Sequence, residues 1–305
     1  MKVDLSVRFA GICLQNPVMN CAGTFEPEKS CVDLYEAEKL GAAVSKTVTL
    51  NPIIGNPQPR IMEVPGGLIN TIGLQNPGVK NFVREKIFDF VKLGVPLIVS
   101  FGGKSIKEYL KVAVILQEEA GNYITGLEAN VSCPNVKAGT IFGSNAKLLL
   151  KLVKLLRPEV NLPLIVKLTP NVTDIGSVAD AVQDAGADAI SLINTIKARG
   201  FIPPGLDGDQ WIEGGLSGPV VKHIALQKVW EVSRVVDLPV IAMGGISNVS
   251  DALDFFRIKN VRCVAVGTAS FNNPKTMAKI IKGLGGYLEE KGYANWEDFK
   301  REEVI

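Results

Sequence analysis

Eight short apolar segments, separated by helical patterns, constrain the fold of this chain more than any other feature. Each is rich in Val, Ile, Leu or Ala, is bounded by Gly, Pro, Asn or Asp, and has the length of a buried strand. Nearly continuous apolar runs are typical of parallel strands covered on both faces. The eight predicted strands span residues 18–22, 42–49, 96–101, 124–131, 163–168, 189–193, 239–243 and 263–266.

The segments between these strands have apolar residues at helical spacing, most clearly at 146–157, 177–185, 224–236 and 250–258. Eight strands that alternate with helices predict an α/β fold of the TIM (β/α)8 barrel type. A doubly wound sheet is disfavoured, because it rarely has eight parallel strands and because no strand–GxGxxG–helix unit occurs. No linker or repeat interrupts the pattern, so we expect residues 1–305 to form a single barrel domain.

Three further segments supplement the barrel. Residues 3–17 alternate apolar and polar side chains around Ala10 and Gly11, which predicts an N-terminal hairpin that closes the barrel floor. Residues 50–76 and 197–219 are rich in glycine and proline and are too long to be simple connections. We expect them to be extended loops at the C-terminal face, where barrel enzymes build their active sites.

Composition excludes several classes of function. Lys and Arg (33) nearly balance Asp and Glu (31), so nucleic acid is not an expected partner. No apolar run has the ~18 residues of a membrane span, and the charged N-terminus is unlike a signal peptide. The five cysteines are scattered without a CxxC pair, which predicts reduced thiols, a cytoplasmic location and no metal centre in this chain. The single histidine, His223, is predicted to be structural or exposed.

Glycine turns follow the last two predicted strands. Gly244 and Gly245 follow the seventh strand, and Gly267 and Thr268 follow the eighth. These are the usual phosphate-binding loops of the fold, and glycine lets backbone N–H groups approach an anion closely. Since no Walker A motif occurs, the phosphate is expected to belong to a bound cofactor. The alternative is that these residues only form strand-to-helix turns.

Two lysines, Lys46 and Lys167, interrupt apolar strands near their predicted carboxyl ends. An unpartnered lysine inside a strand is energetically costly, so both are expected to face anionic ligands. A Schiff-base role is the alternative.

Cys133 and a set of amides are the remaining candidates. Cys133 precedes Pro134 after the fourth strand and is a candidate nucleophile or general base, or only a small buried loop residue. Asn70, Asn130 and Asn194, with Thr195 beside the last, would suit a ring with alternating N–H and C=O groups. Their alternative is turn formation.

Several stretches together resemble the class 1 dihydroorotate dehydrogenases. The matching stretches are KTVT from Lys46, GNPQPR from Gly55, NTIGLQNPG from Asn70, NVSCPN from Asn130, VKLTPN from Val166, GLSGP from Gly215 and the two glycine turns. They span the chain from about Asn16 to Pro274 in the family's order. The sequence SCPNVK is more similar to class 1B than to class 1A.

The resemblance implies a bound FMN in a TIM barrel and assigns roles to the candidate residues. Gly244, Gly245, Gly267 and Thr268, with Gly218 nearby, match the phosphate site. Ala22, Lys46, Thr47, Ser100, Asn130, Lys167 and Ile193 match contacts to the flavin ring and ribityl chain. Lys46, Asn70, Thr71, Ile72, Gly73, Leu74, Asn130, Asn194 and Thr195 match the substrate pocket.

Cys133 matches the base that removes a proton from C5 of dihydroorotate, while Lys167 holds charge beside the reduced flavin. Three positions depart from the family pattern. Ala22 stands where serine is common, Ser100 stands where asparagine is frequent, and residues 201–215 diverge from the usual loop. At Ala22 we therefore expect a flavin contact through the backbone only.

Class 1B membership implies electron transfer to a separate subunit. Such enzymes have a homodimeric catalytic core within a heterotetramer, and the second subunit carries FAD and a [2Fe–2S] cluster and reduces NAD+. Alternatives are a class 1A enzyme that uses fumarate, a dihydropyrimidine dehydrogenase-like reductase acting on uracil, a Schiff-base aldolase using Lys167, and a non-catalytic phosphate-binding barrel.

Overall fold

A closed barrel of eight parallel strands forms the centre of the computed structural model, which describes residues 3–132, 142–202 and 210–304. The strands are β1 (Val7–Phe9), β2 (Ile12–Leu14), β3 (Val18–Asn20), β4 (Ala43–Val44), β5 (Ile61–Val64), β6 (Gly67–Asn70), β7 (Leu97–Phe101), β8 (Gly126–Asn130), β9 (Leu164–Lys167), β10 (Ala189–Leu192), β11 (Ile196–Ile202), β12 (Gln210–Ser217), β13 (Val240–Met243) and β14 (Val261–Val266). The barrel order is β3-β14-β13-β10-β9-β8-β7-β4. The predicted TIM barrel and its eight strands are confirmed.

Helices cover the outside of the barrel. They are α1 (Lys29–Tyr35), α2 (Val79–Asn81), α3 (Ile87–Val91), α4 (Ile106–Ala120), α5 (Ala146–Leu156), α6 (Ile175–Asp184), α7 (Lys222–Ser233), α8 (Val249–Phe256), α9 (Ala269–Asn272), α10 (Thr276–Lys291) and α11 (Trp296–Glu302). A π-helical turn, Phe82–Lys86, joins α2 to α3. Within the described ranges, no helix combines the length and apolarity required to cross a membrane.

Helix α5 shows why these segments fold as they do. Asn145 begins the helix by accepting a hydrogen bond from the Leu148 N–H (3.0 Å). Leu149, Leu152, Val153 and Leu156 are buried, a spacing that places all four on one face. The predicted helices over 146–157, 177–185, 224–236 and 250–258 correspond to α5, α6, α7 and α8.

The seam between β3 and β4 is closed mainly by a side chain. The two strands share only an isolated parallel bridge between Met19 and Ala42. Asn20, which is fully buried, donates from its amide to the Val44 carbonyl (2.7 Å) and accepts from the Val44 N–H (2.9 Å). One asparagine therefore replaces a pair of backbone hydrogen bonds and completes the barrel.

The predicted N-terminal hairpin is confirmed. β1 and β2 pair in antiparallel register, and Ala10 at the turn has a positive φ of 47°. Ile12 is buried and packs against Gly126, where an added Cβ would lie 3.2 Å from the Ile12 Cδ1. Because Gly126 is the first residue of β8, the hairpin covers the amino ends of the barrel strands.

The prediction of extended loops over 50–76 and 197–219 was incomplete. Both segments lie at the carboxyl ends, but within them β5, β6 and β12 form, together with β11, a four-stranded antiparallel sheet in the order β11-β12-β6-β5, here called the mouth sheet. Gly215 pairs with Asn70 across the β12–β6 junction. The two segments are thus a single structural unit beside the barrel opening.

Candidate active site

A cavity of about 670 Å³ opens at the carboxyl ends of the barrel strands, beneath the mouth sheet. Polar groups from most of the barrel strands converge on it. The predicted site residues that line it are Ala22, Lys46, Thr47, Asn70, Thr71, Ile72, Gly73, Leu74, Asn130, Lys167, Ile193, Asn194, Thr195, Gly218, Gly244, Gly245, Gly267 and Thr268. The fold therefore brings together residues that are nearly 250 positions apart in the chain.

Lys167, the last residue of β9, reaches the cavity from inside the barrel and is only 5% exposed. Its ammonium lies 3.8 Å from the carboxylate of Glu128 on β8, which is also buried. It makes no hydrogen bond to any described residue. The N–H donors of Lys167 are therefore available to a ligand in the cavity.

Lys46 provides a second cationic group two residues after β4. Burial lowers the pKa of Lys46, and the carboxylate of Glu26 partly opposes this effect. Burial likewise raises the pKa of Glu26, although Lys86 and Lys46 act in the opposite direction. An added Cβ at Gly23 would lie 3.2 Å from the Lys46 Nζ, so the glycine leaves room for the ammonium.

Hydroxyl and amide groups form a continuous hydrogen-bonded chain along one wall. The hydroxyls of Ser100 and Thr47 are 2.9 Å apart, and the Asn130 amide donates to the Thr47 oxygen (3.1 Å). The Asn194 side-chain amide donates to the Asn130 Oδ1 (3.3 Å), and the Thr195 backbone N–H donates to the Asn194 Oδ1 (2.8 Å). The fully buried Ser100 lies behind Thr47 and does not line the cavity.

The glycine turn after β13 is held in a conformation that requires glycine. Gly244 and Gly245 have φ values of +128° and +75°. Asp251, near the start of α8, accepts hydrogen bonds from the Ser247 N–H (2.9 Å) and hydroxyl (2.7 Å) and from Lys222 (2.6 Å). Burial would raise the pKa of Asp251, but these hydrogen bonds hold it below its usual value.

Segment 70–74 is fixed by two asparagines. The Asn70 amide donates to the Gly215 carbonyl (3.1 Å), and the Asn56 amide donates to the Thr71 carbonyl (3.0 Å) and hydroxyl (2.8 Å). At Gly73, where φ is +72°, an added Cβ would lie 2.6 Å from the Asn56 Oδ1. The segment is therefore held in position before any ligand binds.

Comparison with known proteins identifies the family. The family model described as "Dihydroorotate dehydrogenase" matches residues 4–288. The chain belongs to the dihydroorotate dehydrogenase family. Three curated relatives are named dihydroorotate dehydrogenase B (NAD(+)), catalytic subunit. They come from Pelobacter propionicus (45% identical over 303 residues, 98% of each chain), Geotalea uraniireducens (44% over 303 residues, 96% of each) and Desulforudis audaxviator (45% over 296 residues, 96% of this chain and 95% of the relative).

Cys133, the predicted base of this dihydroorotate dehydrogenase family member, lies outside the described residues. Ser132 immediately precedes it and lines the cavity, and its buried hydroxyl has no hydrogen-bond partner within the described part of the chain. The other predicted catalytic residue, Lys167, occupies the position described above. His223 is exposed on α7, as predicted.

Sequence reasoning missed two side chains near the cavity, the buried Glu128 and the partly buried Cys21. Glu128 is the only charged residue of β8, which is the same signal that pointed to Lys46 and Lys167. Cys21 lines the cavity with its sulfur 3.8 Å from that of Met243, and burial raises the pKa of its thiol to about 11. No sequence signal distinguished Cys21 from the other scattered cysteines. No cluster of three or more His, Cys, Asp or Glu side chains suited to a metal occurs in the described ranges.

Proposed function

We propose that this chain catalyses the oxidation of (S)-dihydroorotate to orotate in pyrimidine biosynthesis, with FMN as its bound cofactor. Family membership and the names of the relatives support this reaction. The observation that carries the proposal is the convergence of two lysines, Lys46 and Lys167, with the amides of Asn70, Asn130 and Asn194 on one cavity. This set suits an anionic pyrimidine ring and a flavin.

The residues present fit FMN. The cavity of about 670 Å³ is within the size range of cofactor sites, and the Lys167 ammonium has no hydrogen bond to the described residues. Gly244, Gly245, Gly267 and Thr268 would hold the phosphate, and Thr47, Asn130 and Lys167 would contact the ring. When bound, FMN supplies the acceptor for the hydride that leaves C6 of dihydroorotate. Lys167 would place positive charge where the reduced ring becomes negative.

The chain's own residues would then bind and deprotonate the substrate. Lys46 would bind the carboxylate of dihydroorotate, since an ammonium and a carboxylate form a charge-assisted hydrogen bond. The amides of Asn70, Asn130 and Asn194 would match the N–H and C=O groups of the pyrimidine ring. Cys133 would take the proton from C5, a role that rests on the family resemblance.

The final electron acceptor and the subunit assembly of the enzyme are part of the same proposal. The relatives' names include NAD(+) and the words "catalytic subunit". We therefore propose a homodimer of this chain within a heterotetramer, in which a partner subunit with FAD and a [2Fe–2S] cluster passes the electrons to NAD+. The cytoplasmic location stays a prediction.

The test is an anaerobic visible spectrum of the purified chain before and after addition of dihydroorotate, with dihydrouracil as the control substrate. We expect a yellow protein that only dihydroorotate bleaches. Bleaching by dihydrouracil alone would favour the reductase that acts on uracil. A colourless protein that cannot be reconstituted with FMN would refute the proposal, and borohydride trapping of a keto substrate would then favour the aldolase.

The matched variants are Lys46→Met and Lys86→Met. Lys46 lines the cavity, whereas Lys86 is an exposed lysine outside it, and both interact electrostatically with Glu26. We expect Lys46→Met to retain FMN and to require much more dihydroorotate for bleaching, while Lys86→Met behaves like the native chain. Rapid turnover of the chain alone with fumarate would move the assignment from class 1B to class 1A.

A further inference from the structure

The carboxylate of Glu128 is buried inside the barrel and has no part in the chemistry described above. Glu128 is 1% exposed and does not line the cavity. Its Oε2 accepts a hydrogen bond from the Ser191 hydroxyl (2.8 Å). Its Oε1 has no hydrogen-bond partner in the described structure and lies 3.8 Å from the Lys167 Nζ. A buried carboxylate with one unsatisfied oxygen is costly, so its presence requires an explanation.

The register of the barrel strands brings the side chains of Glu128, Lys167 and Ser191 together. Lys167 on β9 lies opposite Asn130 on β8 and opposite Ser191 on β10. Glu128 precedes Asn130 by two residues, so both point to the same side of β8. Since Asn130 lines the cavity and Glu128 does not, the carboxylate lies deeper in the barrel than the cavity wall.

The distance between the Glu128 carboxylate and the Lys167 ammonium shows how Glu128 affects Lys167. At 3.8 Å the ammonium and the carboxylate attract one another without forming a hydrogen bond. Glu128 therefore supplies the counter-charge that a buried ammonium needs, and the N–H donors of Lys167 stay available to the cavity. A hydrogen-bonded pair would have directed at least one donor away from the ligand.

We propose that Glu128 is a positioning residue that keeps Lys167 charged and facing the cavity, and that it thereby sets the reduction potential of the bound flavin. This inference rests on the proposed function, because it takes FMN to be the occupant of the cavity. A nearby ammonium favours the reduced, negatively charged ring, whereas a neutral amine favours it much less. Without Glu128, the buried Lys167 would lose the one ion pair that it makes within the described residues.

The experiment compares flavin reduction potentials at one fixed pH for the native chain, Glu128→Gln, Lys167→Met and the double variant. We expect both single variants to shift the potential to more negative values by similar amounts. We expect the double variant to show no further shift, because Glu128 acts through Lys167. The matched control is Ser191→Ala, which removes the hydrogen bond that the Ser191 hydroxyl donates to Glu128 but removes no charge, and it should keep the native potential.

Two results would overturn the inference. A native or more positive potential in Glu128→Gln would mean that Lys167 keeps its charge without the carboxylate. A potential of the double variant that differs from that of Lys167→Met would mean that Glu128 acts by another route. This second result refutes the inference even if Glu128→Gln alone does not fold, because the double variant leaves no unpaired buried charge.

A second readout needs no flavin. In the apoprotein, each single variant leaves one buried charge without its partner, whereas the double variant leaves none. We therefore expect the double variant to unfold at higher denaturant concentration than either single variant; additive losses of stability would contradict the coupling.

The failure of this inference can be told apart from the failure of the proposed function. A native chain that is bleached by dihydroorotate, together with an unchanged flavin reduction potential in Glu128→Gln, refutes this inference alone. A native chain that does not bind FMN overturns both proposals.

Discussion

Replacing Gly245 with alanine adds one methyl group to the turn that follows β13. An added Cβ would lie 2.7 Å from the Cβ of Lys222 and 2.8 Å from its backbone N and Cα. Lys222 is the first residue of α7, and its ammonium pairs with Asp251 (2.6 Å) and Asp254 (2.7 Å). The helix and these two ion pairs prevent Lys222 from moving away from the new methyl group.

The cost of Gly245→Ala has two parts. Gly245 has a φ of +75°, and the left-handed region costs an alanine about 1 kcal/mol. The close approach to Lys222 adds overpacking, which typically costs ~1–3 kcal/mol. We therefore expect a loss of roughly 2–4 kcal/mol in the free energy of unfolding, which for a chain of this size lowers Tm by roughly 3–6 °C.

The assay is thermal unfolding of the apoprotein, with two glycine variants as controls. Gly94 has a φ of +69° but no atom within 4 Å of an added Cβ, so Gly94→Ala measures the backbone strain alone. Gly286 lies in α10 with open space and an ordinary φ, so Gly286→Ala should stabilise the helix. If Gly245→Ala unfolds at the same temperature as Gly94→Ala, the reasoning about Lys222 is wrong.

Three further predictions concern the reaction and the effect of pH. Cys133→Ala should retain FMN but slow flavin reduction by ~100- to 10,000-fold in stopped-flow measurements, because a positioned base is lost; an unchanged rate would exclude Cys133 as the base. Because burial lowers the pKa of Lys46, the KM for dihydroorotate should rise at alkaline pH as the ammonium loses its proton, and Lys46→Arg should abolish that rise. Burial lowers the pKa of Lys300 to about 7, so between pH 7 and about 10 the unfolded chain binds more protons and stability should rise with pH; Lys300→Met should flatten this rise in denaturant titrations.

The barrel could be predicted because its strands and helices are encoded locally. Each strand is an apolar run between Gly, Pro, Asn or Asp, and helices such as α5 combine an N-terminal asparagine with an apolar face. The glycine turns, Lys167 at the end of β9 and Lys46 just after β4 could be placed in the cavity because the fold fixes where parallel strands end. His223 was predicted to be structural or exposed because nothing near it suggested a site, and it is exposed.

The features that could not be predicted from the sequence depend on contacts between residues far apart in the chain. Segments 50–76 and 197–219 have the composition of loops, and their strands form only because Asn70 meets Gly215, 145 residues away. The Asn20 amide that closes the barrel and the Glu128 carboxylate behind Lys167 also depend on partners from other strands. Ser100 lies behind Thr47, in a second layer that only the packed structure shows, and its contact with the flavin stays a prediction.

The pairing of β12 with β6 limits how this chain could acquire a new substrate. Asn70 and Thr195 reach the cavity from segments joined by the same sheet, and a Cβ at Gly215 would lie 2.0 Å from the Thr195 Oγ1. A loop taken from a relative for one segment alone would therefore meet a mismatched partner strand. Exchange of both segments together keeps the pairing, so specificity should be transferable between relatives only as this two-segment cassette.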